Sequence, residues 1–165
     1  MRIFGVIGWK NSGKTVLMER LVAEITARGF LVSTVKRAHH RFDVDHPGKD
    51  SYRHREAGAH EVLLSSRSRW ALMHEIRDEA ELALPTLLGH LAPVDLVLIE
   101  GYKRDSHPKI EAHRYATGQP LIALEDPNVV AVASDVTPEG LSQPVLPLDD
   151  TSAIADFILR HVGLN

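Results

Sequence analysis

Residues 8–15 constrain the fold of this chain more than any other stretch. They read Gly-Trp-Lys-Asn-Ser-Gly-Lys-Thr and match the pattern G-x-x-x-x-G-K-[ST]. A short apolar segment, 3–7, precedes them, and a helical pattern follows, with Leu17, Leu21 and Ile25 four residues apart on one face. A strand, a glycine-bounded loop and an amphipathic helix form the context in which this pattern binds phosphate. The sequence therefore predicts a nucleotide-binding loop.

The residue types of this loop suit a polyphosphate. Gly8 and Gly13 allow the backbone to take positive φ angles and to approach oxygen atoms without a Cβ in the way. Successive N–H groups then form an anion-binding concavity at the positive end of the helix. Lys14 is predicted to reach the β- and γ-phosphates and Thr15 to ligate Mg²⁺, whereas Lys10 either adds charge near the γ-phosphate or is solvated. The predicted nucleotide-contacting residues are Gly8, Lys10, Asn11, Ser12, Gly13, Lys14, Thr15 and Val16.

The composition is that of an ordinary globular domain. The chain has 165 residues, 44% hydrophobic and 25% charged, which predicts a single P-loop nucleotide-binding domain over residues 1–165. A formal net charge of -3 predicts no binding to nucleic acid. The longest apolar runs are strand-length and no signal segment is visible, so we expect a cytoplasmic protein without a membrane span. The lack of cysteine excludes disulfides and thiol nucleophiles.

The hydrophobic pattern predicts an α/β protein with the three-layer P-loop NTPase fold, in which helices flank a mainly parallel sheet. After the first strand and helix, further strands are predicted at 30–35, 95–101, 109–112, 121–124 and 129–133. Segments 61–65 and 70–74 form either a hairpin or two separate strands. A helix is predicted near 78–91, where Pro85 either kinks it or marks its start, and a last helix extends from 150 or 151 to 162.

Polar side chains at the ends of two strands extend the predicted site. Glu100 ends an apolar strand, and ligands of open α/β sheets bind at the carboxyl ends of strands. We predict that Glu100 contacts Mg²⁺ or the attacking water. The candidate catalytic residues are therefore Lys14 and Glu100, and the candidate metal ligands are Thr15 and Glu100. Lys36 and His39 follow the second strand in a cationic cluster that suits an anionic ligand.

Ser134 and Asp135 are the candidate base-binding residues. They follow the strand at 129–133, in the region where relatives of this fold hold the nucleotide base. An aspartate can accept two hydrogen bonds from the guanine edge. The sequence contains no N-K-x-D element, so these residues alone do not select guanine over adenine.

Two other polar groups leave their roles open. The first group is basic and suits an acidic partner, a second phosphorylated ligand or a solvated loop. It comprises Lys103, Arg104, His107 and Lys109. The second group combines imidazole and carboxylate side chains, which suit either a transition metal or a polar loop that closes over a ligand. It comprises His39, His40, Asp43, Asp45 and His46.

Several motifs outside the loop, taken together, are specific to one family. The most specific are Lys-x-x-His-His at 36–40, Pro-Gly-Lys-Asp-Ser at 47–51 and Glu-Gly-Tyr-Lys at 100–103. Segments 57–59, 69–73 and 130–135 add to them. With these motifs the sequence resembles the molybdopterin-guanine dinucleotide biosynthesis protein B (MobB) family over most of its length.

The resemblance implies a dimeric, GTP-binding protein with weak GTPase activity in the last stage of molybdenum cofactor maturation. GTP and Mg²⁺ are its implied ligands, and its implied partner is the molybdenum cofactor guanylyltransferase that joins GMP to molybdopterin, with molybdopterin itself as a further candidate. The family's phosphate-binding residues correspond to Gly13, Lys14 and Thr15, and its acidic strand end corresponds to Glu100. The family is also similar to dimeric ATPases that resemble nitrogenase iron protein, but Trp9 stands where those carry a signature lysine.

A P-loop small-molecule kinase is the alternative function. Its acceptor would lie over the loop at 36–45, and its lid would be rich in arginine. The candidate lid residues are Arg53, Arg55, Arg67 and Arg69.

Overall fold

The structure, a computed structural model, describes residues 1–38 and 42–164. Its backbone divides into two compact units, one of residues 1–37 with residues 88 onward and one of residues 38–87. The single domain over residues 1–165 stays a prediction. Within the described ranges no helix is long and apolar enough to cross a bilayer.

The regular elements follow the predicted alternation of strands and helices. The strands are β1 (Arg2–Ile7), β2 (Val32–Lys36), β3 (Glu61–Ser65), β4 (Trp70–His74), β5 (Leu96–Glu100), β6 (Lys109–His113), β7 (Val129–Ser134) and β8 (Val145–Pro147). The α-helices are α1 (Lys14–Ala27), α2 (Asp50–Glu56), α3 (Leu84–Leu88) and α4 (Thr151–His161). Two 3-10 turns span Tyr115–Thr117 and Ile122–Leu124.

The first unit is built on a six-stranded sheet in the order β2-β5-β1-β6-β7-β8. All neighbouring strands run parallel. The inner strands are near-continuous apolar runs, as expected for a parallel sheet that is covered on both faces. The predicted α/β fold, a mainly parallel sheet flanked by helices, is confirmed and is consistent with the three-layer P-loop NTPase fold.

Helices α1 and α4 share one hydrophobic core with the sheet. Leu17, Leu21 and Ile25 of α1 are fully buried together with Phe4 of β1 and Ile154 of α4. The spacing of the α1 residues places them on one stripe of the helix. This packing confirms the predicted inner face of α1 and fixes the start of the helix relative to the sheet.

The predicted strand at 121–124 is wrong, because Ile122–Leu124 forms a 3-10 turn. The backbone N–H groups of Ile122 and Ala123 donate to the Glu111 carboxylate at 3.1 and 2.9 Å. These donors are therefore satisfied without a neighbouring strand. Glu111 is fully buried in β6, and burial raises the pKa of its carboxyl while the two N–H donors oppose that rise.

Two other boundaries differ from the predictions. Strand β8 was not predicted; it directly follows Pro144 and has only three residues, the last of them Pro147. Of the helix predicted near 78–91, only α3 forms, with Pro85 in its first turn. Proline fits there because the N–H it lacks would have no intrahelical partner. The interpretation of Pro85 as a helix start is thus confirmed.

The second unit contains α2 and an antiparallel hairpin of β3 and β4, which decides between the two alternatives for these strands. Arg55 of α2 donates to three carboxylates, those of Asp43, Asp45 and Glu75, at 2.9, 2.6 and 2.9 Å. Bonding to these carboxylates raises the pKa of Arg55. Asp43 and Asp45 are thus engaged by an arginine, which does not support the transition-metal interpretation of the loop, and His39 and His40 lie outside the described residues.

Candidate functional site

The loop at 8–15 connects β1 to α1 in a conformation that depends on positive φ angles. Gly8, Asn11 and Gly13 have φ values of 149°, 66° and 91°. Glycine tolerates such angles, and asparagine does so more readily than most residues. Gly13 is the N-terminal cap of α1, and glycine has no side chain that could accept from the first N–H groups of the helix. The first N–H groups of α1 therefore face the loop without intrahelical partners.

Gly8 is also required by close packing. A Cβ at Gly8 would lie within 3.0 Å of the Ala112 carbonyl oxygen on β6 and of the Ser12 hydroxyl. Real Cβ atoms do not approach other atoms that closely. The start of the loop is thus pressed against the neighbouring strand.

Arg114, directly after β6, also lies against the loop. Its Nε would be 3.1 Å from a Cβ at Gly13. The sequence pattern does not reveal this arginine, because Arg114 lies outside every motif and reaches the loop only through the pairing of β1 with β6. It adds a guanidinium, a good phosphate ligand, beside the helix start.

Lys14 points back into the loop. Its ammonium donates to the Trp9 carbonyl oxygen at 2.6 Å. Burial lowers the pKa of Lys14 most, the nearby Lys103 and Lys36 lower it further, and Glu100 opposes them. Three ammonium groups therefore act on one small region, an arrangement that favours an anionic ligand.

Lys103 joins the site through Trp9. Its Nζ lies 4.0 Å from the centroid of the Trp9 ring, a cation–π contact, and the Trp9 indole N–H donates to the Pro120 carbonyl oxygen at 2.7 Å. Burial lowers the pKa of Lys103. The side chain of Trp9, which the phosphate-loop pattern does not require, thus positions a second lysine near Lys14.

Two other members of the predicted basic group are buried, whereas Arg104 is exposed. Lys109 is fully buried and donates to the Lys103 and Asp105 carbonyl oxygens, and its Nζ lies 3.4 Å from Asp126. His107 is buried as well. Lys109 stabilises the segment between β5 and β6, whereas the His107 ring nitrogens have no hydrogen-bond partner among the described residues. With two of its four members buried, the interpretation of the whole group as one contact surface is wrong.

Glu100 lies between a hydroxyl and an ammonium. The Thr15 hydroxyl donates to one carboxylate oxygen at 3.4 Å, and Lys36 forms an ion pair with the other at 3.2 Å. The parallel register pairs Glu100 with Lys36 of β2 and with Val6 of β1. The structure therefore brings Thr15, Glu100 and Lys36 together, as the sequence suggested.

The residues present fit a nucleoside triphosphate with Mg²⁺. The Ser12 hydroxyl is buried and makes no hydrogen bond among the described residues, although buried polar groups are normally paired. It lies beside the free N–H groups at the start of α1, where a phosphate oxygen could accept from it. Thr15 and Glu100 supply the oxygen ligands that Mg²⁺ prefers.

The remaining predicted residues have varied environments. Lys10, Asn11 and Val16 are exposed on the loop and the first turn of α1. His39 lies outside the described residues. The Ser134 hydroxyl is buried, 3.0 Å from His113 Nδ1, and accepts from the Val136 N–H.

Asp135 is exposed, and one of its oxygens accepts from the Tyr115 N–H at 2.9 Å. This bond leaves the second oxygen of the carboxylate for another donor. The base-binding roles of Ser134 and Asp135 stay predictions.

The fold and this site define an α/β protein of the three-layer class, with a glycine-bounded loop at the carboxyl edge of a parallel sheet. The family model described as "Molybdopterin guanine dinucleotide synthesis protein B" matches residues 3–135. The chain belongs to this MobB family, which confirms the resemblance seen in its motifs.

Two curated relatives and one solved structure illustrate the match. The chain is 42% identical over 155 residues to the molybdopterin-guanine dinucleotide biosynthesis adapter protein of Escherichia coli, covering 92% of this chain and 88% of that one. It is 40% identical over 162 residues to the protein of the same name from Haemophilus influenzae, covering 94% and 86%. The crystal structure of a MobB homolog from Bacillus stearothermophilus aligns over 100% of both chains, with a TM-score of 0.72 and 30% identity.

Replacing Gly8 by alanine tests the close packing of the loop. We expect Gly8→Ala to lower the free energy of unfolding by about 3 kcal/mol, because backbone strain and overpacking each cost roughly 1–3 kcal/mol. Gly118→Ala is the matched control, since Gly118 has a φ of 62° but no atom within 4 Å of an added Cβ. It should cost only the left-handed backbone, about 1 kcal/mol. Urea unfolding followed by circular dichroism measures both, and equal losses would contradict the packing argument.

Proposed function

We propose that this chain is a GTP-binding adapter in the biosynthesis of molybdopterin guanine dinucleotide. The observation that supports nucleotide binding most directly is the loop at 8–15, with its buried Ser12 hydroxyl, the free N–H groups of α1 and the inward-pointing Lys14. The adapter role rests on the family and on the names of the two relatives. GTP would be held by the loop and Mg²⁺ by Thr15 and Glu100.

The charges around the loop support a triphosphate in particular. The positive charges of Lys103 and Lys36 both act on Lys14 and lower its pKa, and the Glu100 carboxylate opposes them. Three or four negative charges on a nucleotide would relieve this repulsion. Arg114 adds a fourth cation next to Gly13.

We also propose that hydrolysis is slow. Lys14 would stabilise charge on the transferred phosphate, and bound Mg²⁺ would supply further charge neutralisation. Both Glu100 oxygens already interact, one with Thr15 and one with Lys36. This arrangement suits a metal ligand better than a general base, which needs a free oxygen facing the attacking water.

For the base, Asp135 is the residue that we propose selects guanine. It is exposed at the carboxyl end of β7, and its Oδ1 accepts from Tyr115. That bond fixes the carboxylate, and the fixed group can accept from the guanine N1–H and N2–H₂ edge.

We propose that the partners are the molybdenum cofactor guanylyltransferase and a second copy of this chain, with the cytoplasm as the place of action. The proposal of a dimer is supported by exposed apolar side chains on the hairpin of β3 and β4. Leu63 and Leu72 pair directly across the two strands and are 62% and 44% exposed, and Trp70 is 68% exposed. Large exposed apolar patches mark interaction surfaces.

The kinase alternative loses one of its candidate lid residues. Arg55 is bound by Asp43, Asp45 and Glu75 within the second unit, so its guanidinium is not available to a phosphate without breaking three ion pairs. A comparison of GTP and ATP binding also separates the two functions.

Nucleotide binding to wild type, Lys14→Ala and Lys49→Ala tests the ligand. With Mg²⁺ present, we expect GTP to bind more tightly than ATP. Lys14→Ala should weaken GTP binding by about tenfold to hundredfold, because charged hydrogen bonds contribute roughly 1.5–3 kcal/mol. Lys49→Ala removes the same charge at an exposed site of the second unit and should have no effect. Equal binding of ATP, or phosphorylation of a metabolite, would contradict the proposal and favour the kinase.

A reconstituted transfer reaction tests the adapter role. Purified guanylyltransferase is supplied with molybdenum cofactor, GTP and Mg²⁺, and the formation of the dinucleotide cofactor is followed with and without this chain. We expect faster formation with wild type and no acceleration with Lys14→Ala, since the adapter would act through bound GTP. A rate that is unchanged by the wild-type chain would contradict an accessory role.

Light scattering coupled to size exclusion tests the dimer. Leu72→Asp places a charge in the exposed apolar pair of the hairpin and should convert a dimer to a monomer. Leu31→Asp is the matched control, because Leu31 is 65% exposed in the first unit. The dimer proposal is contradicted if wild type is monomeric or if both variants dissociate equally.

A further inference from the structure

The second unit places two histidines and a carboxylate together at one end of its hairpin. His60 directly precedes β3, His74 ends β4, and Glu79 follows in the next irregular segment. His60 Nε2 lies 3.9 Å from one Glu79 oxygen, and His74 Nε2 lies 3.7 Å from the other. One ligand atom from each of the three residues lies within 4.8 Å of the others.

The local fold holds the three side chains in place. Glu61 and His74 are paired across the antiparallel strands, and the Glu75 N–H donates to the His60 carbonyl oxygen at 3.1 Å. The two imidazole rings meet edge to face with their centroids 4.5 Å apart. The hairpin register therefore fixes His60 and His74 next to each other, and Glu79 closes the group.

Glu61 contacts His74 on the ring nitrogen that does not face Glu79. Its carboxylate lies 2.8 Å from His74 Nδ1, which leaves His74 Nε2 facing Glu79. Metal-binding histidines commonly use their second ring nitrogen to bond a carboxylate, which orients the ring and makes it a better ligand. The contact between Glu61 and His74 has this form.

We propose that His60, His74 and Glu79 bind a divalent transition-metal ion such as Zn²⁺. Two imidazole nitrogens and one carboxylate oxygen form a three-ligand set that Zn²⁺ accepts, with a water in the fourth position. In a tetrahedral site with bonds of about 2.0–2.2 Å, the ligand atoms lie roughly 3.4 Å apart. The observed separations of 3.7 and 3.9 Å involve different Glu79 oxygens, and rotation of the exposed His60 and Glu79 side chains would bring one oxygen to both imidazoles.

This site differs in chemistry from the candidate Mg²⁺ ligands Thr15 and Glu100. Mg²⁺ prefers oxygen ligands and retains several waters, whereas imidazole favours Zn²⁺, Cu²⁺ and Ni²⁺. The bound ion would tie the segment after β4 to the hairpin. The site stands independently of the proposed GTP-binding function, because its residues belong to the second unit.

Zinc titration calorimetry on untagged, chelator-treated protein in nucleotide-free buffer tests this site. We expect about one Zn²⁺ per chain, not displaced by excess Mg²⁺. His74→Gln and Glu79→Gln should each weaken binding by more than tenfold, and Glu61→Gln by about tenfold, the usual cost of losing a supporting carboxylate. His90→Gln is the matched control, because His90 is exposed and lies outside the cluster.

A second readout separates ligation from unfolding. Cu²⁺ electron paramagnetic resonance should show coupling to two imidazole nitrogens in wild type and to one in His74→Gln. Circular dichroism of the metal-free variants should match wild type, since all three side chains are at least 30% exposed. The proposal is overturned if the double variant His60→Gln/His74→Gln binds Zn²⁺ like wild type, or if His90→Gln loses binding to the same extent.

Discussion

The parallel alignment of β2, β5 and β1 is the constraint on which the candidate nucleotide site depends. It pairs Lys36 and Val6 with Glu100, so a cation, a carboxylate and the start of the loop lie at one edge of the sheet. A shift of one residue in this register would turn Glu100 to the other face. Such a shift would also separate Glu100 from Lys36, with which it pairs across the two strands.

Electrostatic strain around the loop follows from this alignment. Burial lowers the pKa of Lys14 most, and the positive charges of Lys103 and Lys36 lower it further. The structure offsets part of this repulsion with Glu100 and with the Trp9 ring below Lys103. The buried Ser12 hydroxyl, which has no hydrogen-bond partner in the described part of the chain, and the uncapped start of α1 add to the free-energy cost of this loop. An anion bound by the loop would relieve all of them together, which links the fold directly to the proposed function.

The sequence predicted the parts of this site that depend on local pattern. The loop, the inner face of α1 and Glu100 at the end of a strand can be recognised from spacing and from apolar runs. It did not predict Arg114 beside Gly13 or the burial of Lys109, since those depend on how β6 pairs with β1 and on the path of the segment before it. The 3-10 turn at Ile122–Leu124 was missed for the same reason, because the partner of its N–H groups is a distant carboxylate.

By itself the sequence determined the α/β class, the phosphate-loop pattern and the family, because these are written in short motifs and in the period of the hydrophobic residues. Only the tertiary structure decided which charged side chains lie at the loop and which are buried in the interior. Lys103 and Lys109 are six residues apart in one basic segment, yet one contacts the Trp9 ring and the other is fully buried among carbonyl oxygens. The physical reason is that the environment of a charge depends on long-range strand pairing, which local sequence does not specify.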